Sequence, residues 1–268
     1  MEYLQRFGLA HDVFPRHAQG RTFFVTPSYE RLERRFAMLA RQPGIGVLTG
    51  EVGVGKTAAM RNLAAGLPRP DYRVIYLCDA PAEAADLHRE LAAELGLRPA
   101  HRKVQLGRDL KNALIQMVDE QGVQPVLILD DAEQLPDAVL TELCRLANVA
   151  MDSRTVLVLW LVGQPRLLRT LRMKHHAALA SRLAARVELA PISGRGDFEG
   201  FVTHGLKAAG ATTKIISDPA AELLFRVSHG LPREAARLLR EGLIHAHERQ
   251  SSMLDEIILE AVLTAEKL

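Results

Sequence analysis

The sequence predicts an α/β fold: a three-layer αβα domain around a parallel five-stranded sheet, followed by a small all-helical domain. Three observations predict it. Short apolar runs at 44–49, 72–78, 125–129 and 155–162, with a weaker one at 186–189, alternate with helical patterns. That alternation is the mark of parallel strands covered on both faces. A glycine-rich loop follows the first run and opens a helix, and after Pro191 the strands stop altogether.

The elements follow in order. Residues 1–43 form an extended aromatic segment, with Phe7, Phe14, Phe23 and Phe24, and then an amphipathic helix at 28–41. Residues 44–192 hold the five strands. Helical patterns at 57–66, 82–95, 104–121, 136–149 and 165–172 lie between them. Pro136 and Pro165 fit first-turn positions, where the missing N–H costs nothing. Gly194 and Gly196 punctuate the boundary. Residues 193–268 are helical at 197–209, 218–228, 232–248 and 254–266. Ser217-Asp218-Pro219 is a helix start, an N-cap residue followed by a first-turn proline.

Composition narrows the function. The chain has 268 residues, 48% hydrophobic and 25% charged, an ordinary globular composition. Lys+Arg 34 against Asp+Glu 32 leaves a net charge of +2, so any nucleic-acid surface must be local. Aromatics are 5%, with Trp160 the single tryptophan, which argues against a base-stacking platform. Cys78 and Cys144 have no zinc spacing and read as reduced core thiols of a cytoplasmic protein. The N-terminus carries Glu2 and Asp12 and lacks the apolar stretch of a signal peptide. The longest apolar run, 155–162, is far short of a membrane span.

The strongest local signal is Gly50-Glu51-Val52-Gly53-Val54-Gly55-Lys56-Thr57, running into Ala58. It matches GxxxxGK[ST] between a strand and a helix, the context that gives this phosphate loop its meaning. The glycines let backbone N–H groups curl around a β-phosphate of ATP. Lys56 reaches the β/γ oxygens, the Thr57 hydroxyl ligates Mg²⁺, and the helix N-terminus adds a favourable dipole. The third strand ends in Asp130-Asp131, a Walker B pattern. There Asp130 holds Mg²⁺ through water and Asp131 polarises the attacking water. The alternative is that both only cap the next helix.

At this point the residues resemble a family, the AAA+ ATPases of the ExeA/TnsC group. That group comprises secretion-associated ATPases and related DNA-transposition regulators of the TnsC, MuB and TniB type. The resemblance spans nearly the whole chain: Tyr3…Phe7-Gly8-Leu9…Phe14-Pro15, Phe23…Pro27-Ser28, the phosphate loop, Leu129-Asp130-Asp131-Ala132-Glu133-Gln134-Leu135, Val162-Gly163-Gln164-Pro165, Ser181-Arg182-Leu183 and Gly230-Leu231-Pro232-Arg233. It implies a nucleotide-binding AAA+ domain with a helical lid. It also implies that Gln164 is the sensor-1 polar group, that Arg182 is an arginine finger reaching a neighbouring subunit, and that Arg233 is sensor 2. Simpler accounts stand beside these: Gln164 as a helix cap, Arg182 as a solvated arginine, and Arg233 as a first-turn surface residue, although a cation there opposes the helix dipole. One departure matters. The group usually has Asp-Glu where this chain has Asp130-Asp131. A carboxylate one methylene shorter falls roughly 1.5 Å short of the usual water position. Glu133 faces along the next turn, and slow hydrolysis suits a switch better than a motor.

Charge is local. Between 165 and 187 there are six cations (Arg166, Arg169, Arg172, Lys174, Arg182, Arg186) and no acid. Between 98 and 111 there are five cations and one acid, Asp109. The resemblance turns the second block toward a central pore, where Arg102, Lys103, Arg108 and Lys111 would hold duplex DNA by its phosphates. A solvated face is the plain alternative for both. His175-His176 suggests a metal, but adjacent helical histidines point apart. The expected function is an ATP-dependent DNA-binding regulator. It forms a homo-oligomeric ring or filament and recruits a transposase or target-selection protein without a membrane. The alternatives are an ExeA-like secretion ATPase and a replication loader. The former usually carries a membrane span and wall-binding module beyond the ATPase, and neither is found before Leu268. A small-metabolite kinase would leave the finger and the Gly-Leu-Pro-Arg box unexplained.

Overall fold

The structure, a computed structural model, describes residues 2–15, 20, 23–97, 103–149 and 154–265. The chain divides into two compact units. One comprises Ser28–Gly50 and Ala59–Leu189; the other comprises Met1–Pro27, Glu51–Ala58 and Ala190–Leu268.

The first unit holds the sheet. Its strands are β1 (Ile45–Gly50), β2 (Tyr72–Leu77), β3 (Gln124–Leu129), β4 (Asn148–Val149), β5 (Arg154–Thr155), β6 (Val158–Gly163) and β7 (Leu183–Leu189). Five of them form one parallel sheet in the order β2-β3-β6-β1-β7. β1 and β6 are buried along their whole length, and β3 from its second residue. Interior strands of a parallel sheet are covered on both faces, which is why they read as unbroken apolar runs. The edge strand β7 alternates buried and exposed residues. Around the sheet, α4 (Ala84–Glu94), α5 (Lys103–Asp119) and α6 (Asp137–Ala147) bury leucines in one core with β1, β3 and β6. Helix α2 (Pro27–Arg41) turns in Leu32, Phe36 and Leu39, and Phe36 stacks on Trp160 at 5.8 Å. Trp160 lies opposite Gly46 in the β1–β6 register, and a Cβ on Gly46 would come within 2.7 Å of the indole ring.

Two strand expectations change. The run 155–162 is two elements, not one. β5 pairs antiparallel with β4, and the parallel strand begins only at Val158. The break sits at Val156. Its N–H donates to the Ala147 carbonyl at 3.3 Å, and its carbonyl accepts from the Gln124 side chain at 2.9 Å. With those groups spent, the chain cannot join the ladder before Val158. The last strand starts at Leu183 instead of 186, because Ala185 pairs with Gly46 despite its poor strand propensity. Neither cysteine is in a disulfide, but they are not both core thiols as expected: Cys78 is exposed, and Cys144 is half-buried against the core.

The second unit is helical: α1 (Glu2–Arg6), α9 (Arg195–Ala208), α10 (Asp218–Ser228), α11 (Pro232–Glu248) and α12 (Glu256–Ala265). α10 and α11 have the predicted bounds. Ser217 caps α10, its side chain accepting the Ala220 N–H at 3.2 Å. The N-terminal segment is not wholly extended. Residues 2–6 form a helix, and Tyr3, Phe7, Leu9 and Val13 are buried in one core with Phe198, Leu223, Leu239 and Leu259. Phe14 stacks on Phe201 at 4.3 Å, and Phe24 meets the same ring edge-on at 5.7 Å. Phe7 is therefore a core residue of the helical unit, with Phe14 and Phe24 packed against that core. The short α1 gains its stability from that packing, since five residues cannot sustain a helix alone.

Candidate functional site

The phosphate loop leaves β1 at Gly50 and enters α3 (Lys56–Ala65). Gly53 and Gly55 have φ of 85° and 102°, the region open to glycine, so the loop curls in a way other residues would strain. A Cβ on Gly55 would meet nothing within 4 Å, which leaves the cradle open on that side. The Lys56 ammonium lies back across the loop, donating to the Glu51 carbonyl at 3.0 Å. Thr57 and Ala58 form the first turn, and Val54 is buried beneath the loop. Glu51 and Val52 are exposed. A curled glycine loop, a lysine across it and a helix N-terminus fit a nucleoside triphosphate.

The same loop touches the Gly-Leu-Pro-Arg box. The Arg233 N–H donates to the Gly53 carbonyl at 3.1 Å, and a Cβ on Gly53 would approach the Arg233 Cβ to 3.1 Å. Arg233 is exposed in the first turn of α11, just after Pro232. The box is pinned from behind. Gly230 has φ of 70°, its carbonyl accepts the Ile192 N–H at 2.9 Å, and a Cβ there would collide with the Ile192 carbonyl.

The acids at the end of β3 separate in character. Asp130 is buried, 7% exposed, and its two oxygens accept from the Tyr76 hydroxyl at 2.9 Å and the Asp131 N–H at 3.0 Å. Burial, and then the negative charge of Asp130, hold Tyr76 protonated well above its usual range, so it stays a donor. Asp131 is exposed, has φ of 49°, and precedes the 3₁₀ turn Ala132–Gln134. Its side chain makes no capping bond to that turn. Capping is thus absent at Asp131, which removes part of the duller account.

Glu133 was expected to face along the next turn; it instead points at the end of β6. Its side chain is fully buried, accepts the Gln164 N–H at 3.1 Å and lies 3.5 Å from Arg166. A Cβ at Gly163 would collide with it, so the glycine and the glutamate are matched. Gln164 follows β6 half-buried, its carbonyl accepting the Leu167 N–H at 2.9 Å as α7 (Arg166–Leu171) begins. Arg182 sits between α8 (Ala177–Ala180) and β7, donating to the Ala178 carbonyl at 2.7 Å. Of the basic block, Arg108 is exposed and Lys111 half-buried on α5. Arg102 and the Lys103 side chain lie outside the described residues.

Tyr76 and the contacts of Glu133 escaped the sequence reading. A signal for Tyr76 existed: in the β2–β3 register it faces Ile128, which puts it diagonal to Asp130 on one face. Glu133 carried no such signal, because its partner is a backbone N–H 31 positions away.

A curled glycine loop opening a helix, and paired aspartates closing a strand of a β2-β3-β6-β1-β7 sheet, define a P-loop nucleoside triphosphatase of the AAA+ class. Residues 39–171, just under half of the chain, match the AAA domain family, so that stretch carries an AAA domain. General secretion pathway protein A of Aeromonas hydrophila is 30% identical over 253 residues, 93% of this chain and 46% of that protein. The chain thus spans just under half the length of this relative. Among solved structures, Cdc6p from Pyrobaculum aerophilum superposes with a TM-score of 0.71 at 18% identity, covering 92% of this chain and 68% of that one. The ORC1 protein of Aeropyrum pernix, solved in complex with DNA, gives 0.68 at 15% identity, covering 94% and 68%. At such identities the likeness is one of fold. Among the described residues no helix is long and apolar enough to cross a membrane.

Proposed function

We propose that this protein is an ATP-dependent switch that oligomerises as a ring or filament on duplex DNA and recruits or activates a transposase. The observation that carries the switch is the contact between the Gly53 carbonyl and the Arg233 N–H. The first turn of α11 is bonded to the very loop that would hold phosphates, so nucleotide state can bias the helical lid. Residues 44–192 act as the nucleotide-binding domain and 193–268 as the lid. Gly50 to Ala58 hold the phosphates, Lys56 neutralises them, and Thr57 with Asp130 serves Mg²⁺. Bound Mg-ATP supplies a phosphoanhydride whose cleavage resets the switch. Asp131 orients water from a side chain one methylene shorter than its relatives', which keeps turnover slow. Gln164 senses the γ-phosphate, Arg233 answers from the lid, and Arg182 completes a neighbour's site. Duplex DNA is held by the basic block through Arg108 and Lys111 with Arg102 and Lys103.

A second reading has a specific observation behind it. The 30% identity to a general secretion pathway protein runs over 93% of this chain, and it favours an assembly ATPase that needs no DNA. Sedimentation of the full chain with ATP, with and without duplex, separates the two. ATP-dependent assembly that DNA enhances, with DNA in the fast fraction, supports the first. Assembly indifferent to DNA, with free duplex left behind, supports the second.

A further inference from the structure

We propose that Asp137, His175 and His176 form a site for one transition-metal dication of the Zn²⁺ kind, apart from the nucleotide chemistry. The sequence argument against a metal was that adjacent histidines on a helix diverge. They are not on an α-helix. Lys174–His176 is a 3₁₀ turn, and His176 leaves it with φ −99° and ψ 7° before α8 begins. The two rings therefore sit 4.2 Å apart, tilted by 57°. His175 Nε2 lies 3.1 Å from Asp137 Oδ2, and His176 Nε2 lies 2.8 Å from Asp137 Oδ1. One nitrogen from each ring and one carboxylate oxygen all fall within 4.8 Å of one another.

That spacing suits a tetrahedral ion. With metal–ligand bonds of about 2.0–2.1 Å, ligand atoms stand about 3.3 Å apart. Each nitrogen now sits beside its own Asp137 oxygen, and a turn of that exposed carboxylate would bring one oxygen between both nitrogens, with all three ligand atoms already within 4.8 Å of one another. The set has one fixed member and two adjustable ones. The His176 side chain is 1% exposed, whereas those of His175 and Asp137 are 51% and 63% exposed and have room to readjust around an ion. Two imidazoles and a carboxylate are the borderline nitrogen–oxygen set that binds Zn²⁺, and they do not suit Mg²⁺, which prefers oxygen.

The fourth position is open. His175 and His176 border a cleft of about 230 Å³ whose other walls include Thr141, Cys144, Arg145 and Arg182. Two arginines beside the cleft favour an anionic fourth ligand such as hydroxide or a small carboxylate. Asp137 stands in the first turn of α6, its carbonyl accepting the Thr141 hydroxyl at 2.9 Å, while the histidines belong to the segment that leads into α8. An ion there would tie that segment to α6.

The test uses the full chain, stripped by chelator and then saturated with Mg-ATP so that the nucleotide site cannot take the added metal. Zn²⁺ is titrated by calorimetry, and Co²⁺ is added separately as a visible probe. The expected result is one ion per chain, with tetrahedral Co²⁺ absorption that Zn²⁺ displaces, and a melting temperature that rises with Zn²⁺. His175→Ala alters an exposed residue and leaves the fold intact, so it is the decisive variant. It should weaken Zn²⁺ by more than the about 10–100-fold cost of losing an outer-shell partner. Asp137→Asn should act likewise, whereas Thr57→Ala should leave this stoichiometry unchanged. Zn²⁺ affinity equal in wild type and His175→Ala, or octahedral Co²⁺ alone, would reduce the cluster to an ion pair and overturn the proposal.

Discussion

Asp130 and Asp131 are neighbours with opposite surroundings, and their chemistry follows from that. Asp130 is fixed by two donors before any metal arrives, so Tyr76 acts as an outer partner of a proposed Mg²⁺ ligand. Tyr76→Phe should raise the Mg²⁺ concentration needed for half-maximal turnover about tenfold while leaving metal-free nucleotide affinity unchanged. Asp131 is exposed and makes no cap bond, and its side chain is one methylene shorter than the glutamate usual at this position. Asp131→Glu should therefore increase ATP turnover, and Asp131→Asn should abolish it; a rate indifferent to both moves the role elsewhere. Glu133 is no substitute base, because it is spent on the Gln164 N–H and Arg166. Glu133→Ala strands that N–H at a cost of about 1–3 kcal/mol and frees Gln164. Glu133→Gln keeps an acceptor there, so it should restore turnover better than it restores the Arg166 contact. Equal loss in both variants would make the charge, and not the hydrogen bond, the working part.

Among the elements, β1 shows how closely the sheet is built. Gly46 lies beneath Trp160, and Trp160 stacks on Phe36 of α2. Gly46→Ala places a methyl group where only 2.7 Å is available, so it should lower stability by about 1–3 kcal/mol in denaturant melts. Gly230→Ala combines a left-handed φ with a backbone collision and should cost more than about 2 kcal/mol. The fold class, the positions of the main strands along the chain and the bounds of α10 and α11 were legible because hydrophobic period and cap chemistry are local. The phosphate loop and the two aspartates were legible for the same reason. What was hidden depended on partners far along the chain. The break at Val156 is made by Ala147 and Gln124, α1 exists through its burial against α11, and Glu133 answers to Gln164. The converging histidines were misread because a 3₁₀ turn cannot be told from an α-helix by composition.

At the scale of the whole molecule, the predictions concern assembly and DNA. Arg182 is tethered to the Ala178 carbonyl in the turn before β7. If it serves a neighbouring subunit, Arg182→Ala should bind ATP normally yet fail to form ATP-dependent oligomers in sedimentation. The DNA prediction rests on the outer face of α5. Leu106, Leu110 and Leu114 are buried on one side of that helix, which fixes its orientation against the sheet unit. Arg108 is exposed, and Lys111 stands three positions on, half-exposed, so the two cations share a face. The described part of that face carries no aromatic ring, and its Gln105 amide donates to Asp109 at 2.8 Å, so contacts there should go to phosphates. Affinity should then be nearly independent of sequence and fall with salt, with a log–log slope of about 0.9 for each phosphate neutralised. It should also need ATP, because a lone pair of cations is weak and only an assembly multiplies it along one duplex. Arg108→Glu with Lys111→Glu reverses both charges on the side of α5 away from its buried leucines. The double variant should keep ATP binding and assembly while losing duplex binding at physiological salt. Retention of wild-type duplex affinity, with an unchanged salt slope, would remove α5 from the DNA surface and strengthen the secretion-type reading.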